Sequence, residues 1–193
     1  MMRLKNFLSI KRFKNIEYID VCEENEDFVS MDGIVYSKNG KYLVYCPRKR
    51  EKPVIVQDGT QVIFNSAFRK CAIYDINFPA SLREIQNCAF SSCLSLTSVH
   101  LNDELEIIGS FAFHACENLE NIYLGKSLKS IRDYAFDRTS ALSKIRFPNK
   151  LEHIGDSAFV QCPLKDVVIP KSVRKIGKCA FADSLNWCRT KIC

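Results

Sequence analysis

LEHIGDSAFVQCPLKDVVIPKSVRKIGKCAF, residues 151–181, ends on the Ala-Phe pair that it also carries near its start, at 158–159. Read outward, the same pair recurs at 67–68, 89–90, 112–113, 135–136, 158–159 and 180–181, so its Phe residues are spaced by 22, 23, 23, 23 and 22. A fixed period in the twenties signals a stack of one small supersecondary unit, each burying on its neighbours an apolar face that it cannot bury alone. The fold class that follows is a repeat solenoid of short parallel β-strands with about 23 residues per repeat.

Apolar columns accompany the pair. Leu82 and Ile85, Leu105 and Ile108, Leu128 and Ile131, Leu151 and Ile154, and Val173 and Ile176 precede the Ala by seven and four residues. After the Phe come Leu96, Val99 and Leu101, then Leu119, Ile122 and Leu124, then Leu142, Ile145 and Phe147; the next unit carries Leu164, Val167 and Ile169 one residue early. The last two members of each set alternate, as in a strand buried on one face. Each unit thus reads as a short strand, a turn, a second short extended stretch ending in Ile, and a tight, partly helical Ala-Phe turn.

The stretch quoted above resembles the BspA-type leucine-rich repeat, a bacterial and protist variety with Ile-Gly-x-x-Ala-Phe, a Cys three residues after the Phe, then Leu-x-x-Ile-x-Leu/Ile-Pro. The match covers about residues 54–185, with the Gly kept only at 109, 155 and 177 and the Pro only at 79, 148 and 170. The resemblance implies a leucine-rich-repeat fold and a kinship with bacterial surface adhesins that engage proteins or glycans. It also implies a cell-surface or secreted setting.

Four segments follow. Residues 1–21 read as a degenerate N-terminal repeat, since Ile16-x-x-Ile19-x-Val21 matches Leu96-x-x-Val99-x-Leu101; the alternative is an amphipathic membrane-surface helix. Residues 22–53 break the period and form an inserted β-hairpin, Ile34–Ser37 and Tyr42–Cys46 about an Asn39-Gly40 turn, followed by a solvated basic loop at 48–52. The leucine-rich-repeat solenoid spans 54–185, and a C-terminal tail fills 186–193, with Trp187 placed to cover the last unit. The solenoid ends read as uncapped, which would permit end-to-end association. No run of about 18 apolar residues predicts a membrane span, and the N-terminus lacks the apolar stretch of about 7 to 15 residues that marks a secretory signal.

The ten cysteines do not space as a disulfide framework. Cys71, Cys93, Cys116 and Cys162 lie three residues after a Phe in a column that also holds Thr139 and Ser184, so the column wants a small buried side chain with a weak hydrogen bond; free thiols are expected. No zinc spacing exists, and no metal or cofactor is expected. His114 and His153 sit at surface positions and read as solvated, and nothing supplies a nucleophile with its base and oxyanion site. No enzymatic activity is predicted. The net charge of +6 traces largely to residues 1–14, while the repeats mix signs, as in Asp103-Glu104, Lys126, Lys129 and Glu152. That pattern argues against nucleic acid as a partner.

What the repeats do build is a surface. The side chain between the two buried strand residues points outward, giving a ladder of Asn77, His100, Tyr123, Arg146 and Val168. Asp75, Ser98, Asn121, Lys144 and Asp166 make a flanking ladder. Tyr and Arg are the residue types enriched at binding hot spots. The function read from this is a non-enzymatic binding module that presents the ladder to a protein or glycan; the alternative is a structural segment of a longer repeat array.

Overall fold

The structure, a computed structural model, describes residues 15–184 and the backbone of 191–192. Expectations for residues 1–14 and for Trp187 lie outside the described residues.

Each Ala-Phe pair is the inner corner of one rung. The Ala residues are 0–3% exposed, and the Phe residues from 68 to 159 are fully buried. Their rings stack nearly face on at centroid distances of 4.8, 5.1, 5.2, 5.1 and 5.4 Å, a continuous column from Phe68 to Phe181. The turn is not helical. Two residues in every rung adopt the left-handed conformation: the one before the Ala (φ +51° to +58°) and the one two after the Phe (φ +53° to +61°). None of them is Gly, and they range from Ser66 to Phe111 and Arg138, so this geometry leaves no compositional mark. The left-handed pair turns the chain tightly enough for each Phe N–H to donate to the Ala carbonyl of the next rung at 2.7–2.8 Å.

The Ile before the turn supplies the main sheet. It ends a two-residue strand in every unit: Val62–Ile63, Glu84–Ile85, Ile107–Ile108, Ser130–Ile131, His153–Ile154 and Lys175–Ile176. These pair in parallel with Ile on Ile throughout. The Ile-x-Leu stretches, which the alternation marks as the principal strand, pair only two at a time: Val54–Ile55 with Ile76–Asn77, Ser98–His100 with Asn121–Tyr123, and Val168–Ile169 with Lys191–Ile192. Residues 144–146 keep the out-in-out burial but form no strand. The unit that follows them is one residue short between Phe159 and Leu164, and Asp166 takes a left-handed φ of +52° there. Its equivalents Asp75, Ser98, Asn121 and Lys144 do not, so the shortened loop enters its strand by a different backbone path. The pairing of 191–192 shows the period running into the stretch assigned to the tail.

The hairpin is present and is larger than its sequence suggests. Three antiparallel strands, β1 (Phe28–Met31), β2 (Ile34–Ser37) and β3 (Tyr42–Tyr45), form a meander. β3 then joins the solenoid, with Leu43 opposite Ile63 in parallel, which makes a nine-stranded sheet. The Cys46 N–H donates to the Ala67 carbonyl at 2.9 Å, the bond a Phe makes in later rungs. The meander therefore covers the N-terminal end that the sequence leaves open. On its other side Phe28, Val35, Val44 and Tyr45 form a small second core, closed by Ile19 and Val21.

The basic loop is corrected in one respect. Arg50 is 4% exposed rather than solvated. Its guanidinium donates to the Asp32 carbonyl at 2.6 Å and pairs with the Asp32 carboxylate, clamping the β1–β2 turn to the loop.

Candidate functional site: the outward ladder

All ten ladder residues, Asn77, His100, Tyr123, Arg146, Val168, Asp75, Ser98, Asn121, Lys144 and Asp166, are exposed. Pairing in register aligns His100 with Tyr123, and their rings stack at 4.4 Å and 18°. Tyr123 is further held by Asp103: the phenol donates to Asp103 Oδ1 at 2.6 Å, and Lys126 Nζ reaches Oδ2 at 2.6 Å. The lysine and then the phenol hold the Asp103 carboxyl below its ordinary range, while the carboxylate raises both Tyr123 and Lys126. Tyr123 thus presents a fixed ring, and fixed side chains lose less freedom on binding a partner. Asp103 and Lys126 lie outside the predicted ladder. The signal that could have found them is their position in the loop just after the strand, one rung apart.

Where residues 144–147 leave the sheet, the surface sinks on both sides. One depression of about 770 Å³ is lined by Lys144, Arg146, Phe147, Lys165, Val168 and Lys171, among others. A second of about 570 Å³ runs between Ser98, His100, Asn121, Tyr123, Lys144 and Arg146. Residues 144–147 line both, so these depressions join four of the five ladder units into fewer, larger features. Asn77 and Asp75 stand apart from them.

Charge is not mixed along the stack as a reading of a few residues implies. Residues 71–125 hold seven acidic side chains and one basic, a net of −6; residues 126–178 hold twelve basic and five acidic, a net of +7. The depressions lie mostly in the basic half.

His114 also departs from expectation. It is 26% exposed, its Nδ1 is 3.0 Å from the Asp137 carboxylate, and its ring meets Phe111 edge-on at 5.7 Å. Phe111 stacks on Tyr134 at 4.8 Å, one rung on. The thiol column behaves as its Thr and Ser members foretell: the Sγ of Cys93, Cys116 and Cys162 donate to the Phe carbonyl one rung back at 2.9, 3.1 and 2.9 Å, and Thr139 Oγ1 does the same at 3.2 Å. Burial pushes Cys116 and Cys162 up to about 12.

A stack of about 23-residue rungs with two short strands each and a conserved-in-place phenylalanine corner is a leucine-rich-repeat solenoid. A family model described as a BspA type leucine rich repeat region, in six copies, matches residues 61–187. The chain belongs to that family. Among solved structures, the leucine rich repeat protein of T. pallidum (TpLRR) is 28% identical, covering 86% of this chain and 68% of that one at a TM-score of 0.57. The pneumococcal vaccine antigen PcpA is 26% identical, covering 88% and 38%, with a TM-score of 0.56. A leucine-rich repeat protein from Eubacterium ventriosum shares the fold at a TM-score of 0.71, with 20% identity over 93% of this chain and 56% of that one. The chain thus spans 38 to 68% of these three. No curated protein matches it. Among the described residues, no helix is long and apolar enough to cross a membrane.

Proposed function

We propose that the chain is a non-enzymatic binding module whose ladder face engages a protein or glycan, in the manner of an adhesin. The observation that carries this is the fixed Tyr123, stacked on His100 and tied to Asp103, standing beside Arg146 at the edge of two joined depressions. Preorganised aromatic and arginine side chains at the rim of a concavity are what a binding hot spot needs. Burial pushes the Cys116 and Cys162 thiols up to about 12, away from the thiolate that serves as a nucleophile. The same burial supports their remaining reduced.

The test is capture of protein partners and a glycan array with the folded chain and two double variants. Tyr123→Ala with Arg146→Ala should leave stability within about 0.5 kcal/mol, as exposed positions usually do, and should weaken a true partner by about 2 kcal/mol or more per hot spot. Lys41→Ala with Arg69→Ala, both exposed and off the ladder, is the control. A partner weakened by the control and not by the ladder pair uses another face. A chain that holds no partner in either format fits the structural-segment reading instead.

A further inference from the structure

The cations around the depressions are of two kinds. Lys126 and Lys129 are already neutralised, by Asp103 and Glu106 at 2.6 and 2.8 Å. Lys144, Arg146, Lys165 and Lys171 line the larger depression and have no ion pair among the described residues. Among the described residues Asp166 is the one acidic residue in that lining. The floor between the four cations is apolar, from Ile145, Phe147, Val168 and Pro170, and Val168 is 51% exposed. At its edge Ser172 Oγ is buried without a hydrogen-bond partner among the described residues, and Ser172 also lines a neighbouring cationic depression with Lys150 and Arg174.

We propose that this cleft takes an acidic linear polysaccharide, a sugar chain bearing carboxylate or sulfate groups, with its charges on Lys144, Arg146, Lys165 and Lys171 and a sugar face on Phe147 and Val168. The inference rests on the ladder reading above and specifies its ligand. Three features select this chemistry. Unpaired cations over an apolar floor match a ligand that carries anions at its edges and C–H groups on its ring faces; the Tyr123–His100 stack extends that floor into the second depression. The four cations stand on two neighbouring rungs, Lys144 and Arg146 on one and Lys165 and Lys171 on the next, and the rungs step by 4.8–5.4 Å in the core, so a glycan with an anion on each of two successive sugar rings meets both pairs. Single-stranded nucleic acid wants a stacking ring for successive bases, and the ladder continues past Tyr123 with Arg146 and Val168. The axial charge separation adds direction, because the −6 half repels a polyanion and the +7 half attracts it,.

The test measures binding of heparin, polygalacturonate, neutral dextran, polyglutamate and a single-stranded oligonucleotide by calorimetry at two salt concentrations. Heparin or polygalacturonate should bind and dextran should not. With four cations engaged, affinity should fall on the order of 50-fold between about 50 and 200 mM salt, from a slope of about −0.7 per contact. The variant Lys144→Ala, Arg146→Ala, Lys165→Ala, Lys171→Ala, with its fold checked by circular dichroism, should abolish binding. Lys41→Ala, Lys49→Ala, Lys52→Ala, Arg69→Ala removes the same charge from exposed N-terminal positions and should not. Polyglutamate or oligonucleotide binding as tightly as the acidic glycans overturns the polysaccharide assignment, as does equal loss in both quadruple variants. Failure of every polyanion overturns the inference alone, since a protein or neutral glycan captured through Tyr123 and Arg146 would still uphold the ladder.

Discussion

Replacing Phe136 by Ala tests the stack where it should be strongest. Phe136 is fully buried, with Phe113 at 5.2 Å on one side and Phe159 at 5.1 Å on the other. Deleting a buried aromatic costs about 3–5 kcal/mol, and the two lost stacking contacts, about 0.5–1.5 kcal/mol each beyond area, push this site toward the upper end. Phe181 is partly buried and has one stacked neighbour among the described residues, Phe159 at 5.4 Å, so the same change there should cost roughly half as much, about 2 kcal/mol. In urea, with a slope of about 2 kcal/mol/M, the midpoints should fall by about 2 M for Phe136→Ala and about 1 M for Phe181→Ala. Because contacts in a solenoid are nearest-neighbour, the central deletion should also broaden the transition by uncoupling the two halves. Far-ultraviolet circular dichroism follows both. Equal midpoints for the two variants would refute the argument that the rings act as one column with a strong middle and a weak end.

Other outcomes follow from the rungs and their cap. A thiol reagent on the native protein should modify the exposed Cys22 and Cys179 and spare Cys71, Cys93, Cys116 and Cys162 until the chain unfolds; mass spectrometry that finds Cys93 bridged to Cys116 would contradict the reduced column. Because burial raises Cys93, Cys116 and Cys162 in the folded state, their contribution is complete below the unfolded thiol value of about 8.5 and declines as pH rises beyond it. Denaturation midpoints should accordingly be lower at alkaline than at neutral pH. Arg50→Ala removes charged hydrogen bonds to the Asp32 carbonyl and carboxylate and should cost about 2–3 kcal/mol; a change under half of that would mean the clamp is dispensable. At exposed Arg138, φ +58°, Gly relieves the left-handed penalty, and Arg138→Gly should raise stability by about 0.5–1 kcal/mol, read as a higher urea midpoint.

The period, the buried columns and the outward ladder were legible because they depend on which side chains face inward, and inward facing leaves an apolar mark at a fixed spacing. Which extended stretch would build the long sheet was not. Val62–Ile63 and its equivalents are two-residue strands too short to show alternation, whereas Ile122-x-Leu124 shows it clearly and yet pairs with one neighbour. β1 was missed because Phe28-Val29-Ser30-Met31 follows an acidic run, Glu23, Glu24, Glu26 and Asp27, which reads as a loop. The left-handed positions carry Ser, Cys, Phe, Tyr and Arg as readily as each other, so no glycine announced them. Arg50 looked like part of a solvated cluster until the fold placed Asp32 against it. The early arrival of Leu164 was visible and was the one hint that residues 144–147 would stand apart from their neighbours. The two charge blocks were also in the chain, and only a count over whole units separates them.

The carbonyl that each column side chain caps has a practical consequence for engineering. Thr139 makes from within the same protein the bond that Cys93, Cys116 and Cys162 make in their own rungs, fully buried and to the equivalent Phe carbonyl. Sulfur is therefore not a requirement of the position; a donor of about that size is. Copying Thr139 into the other rungs frees the column of cysteine, and with Cys46 and the cysteines outside the core, the exposed Cys22 and Cys179 among them, replaced as well, a single thiol placed on the ladder would be a clean handle for attaching a probe beside the cleft.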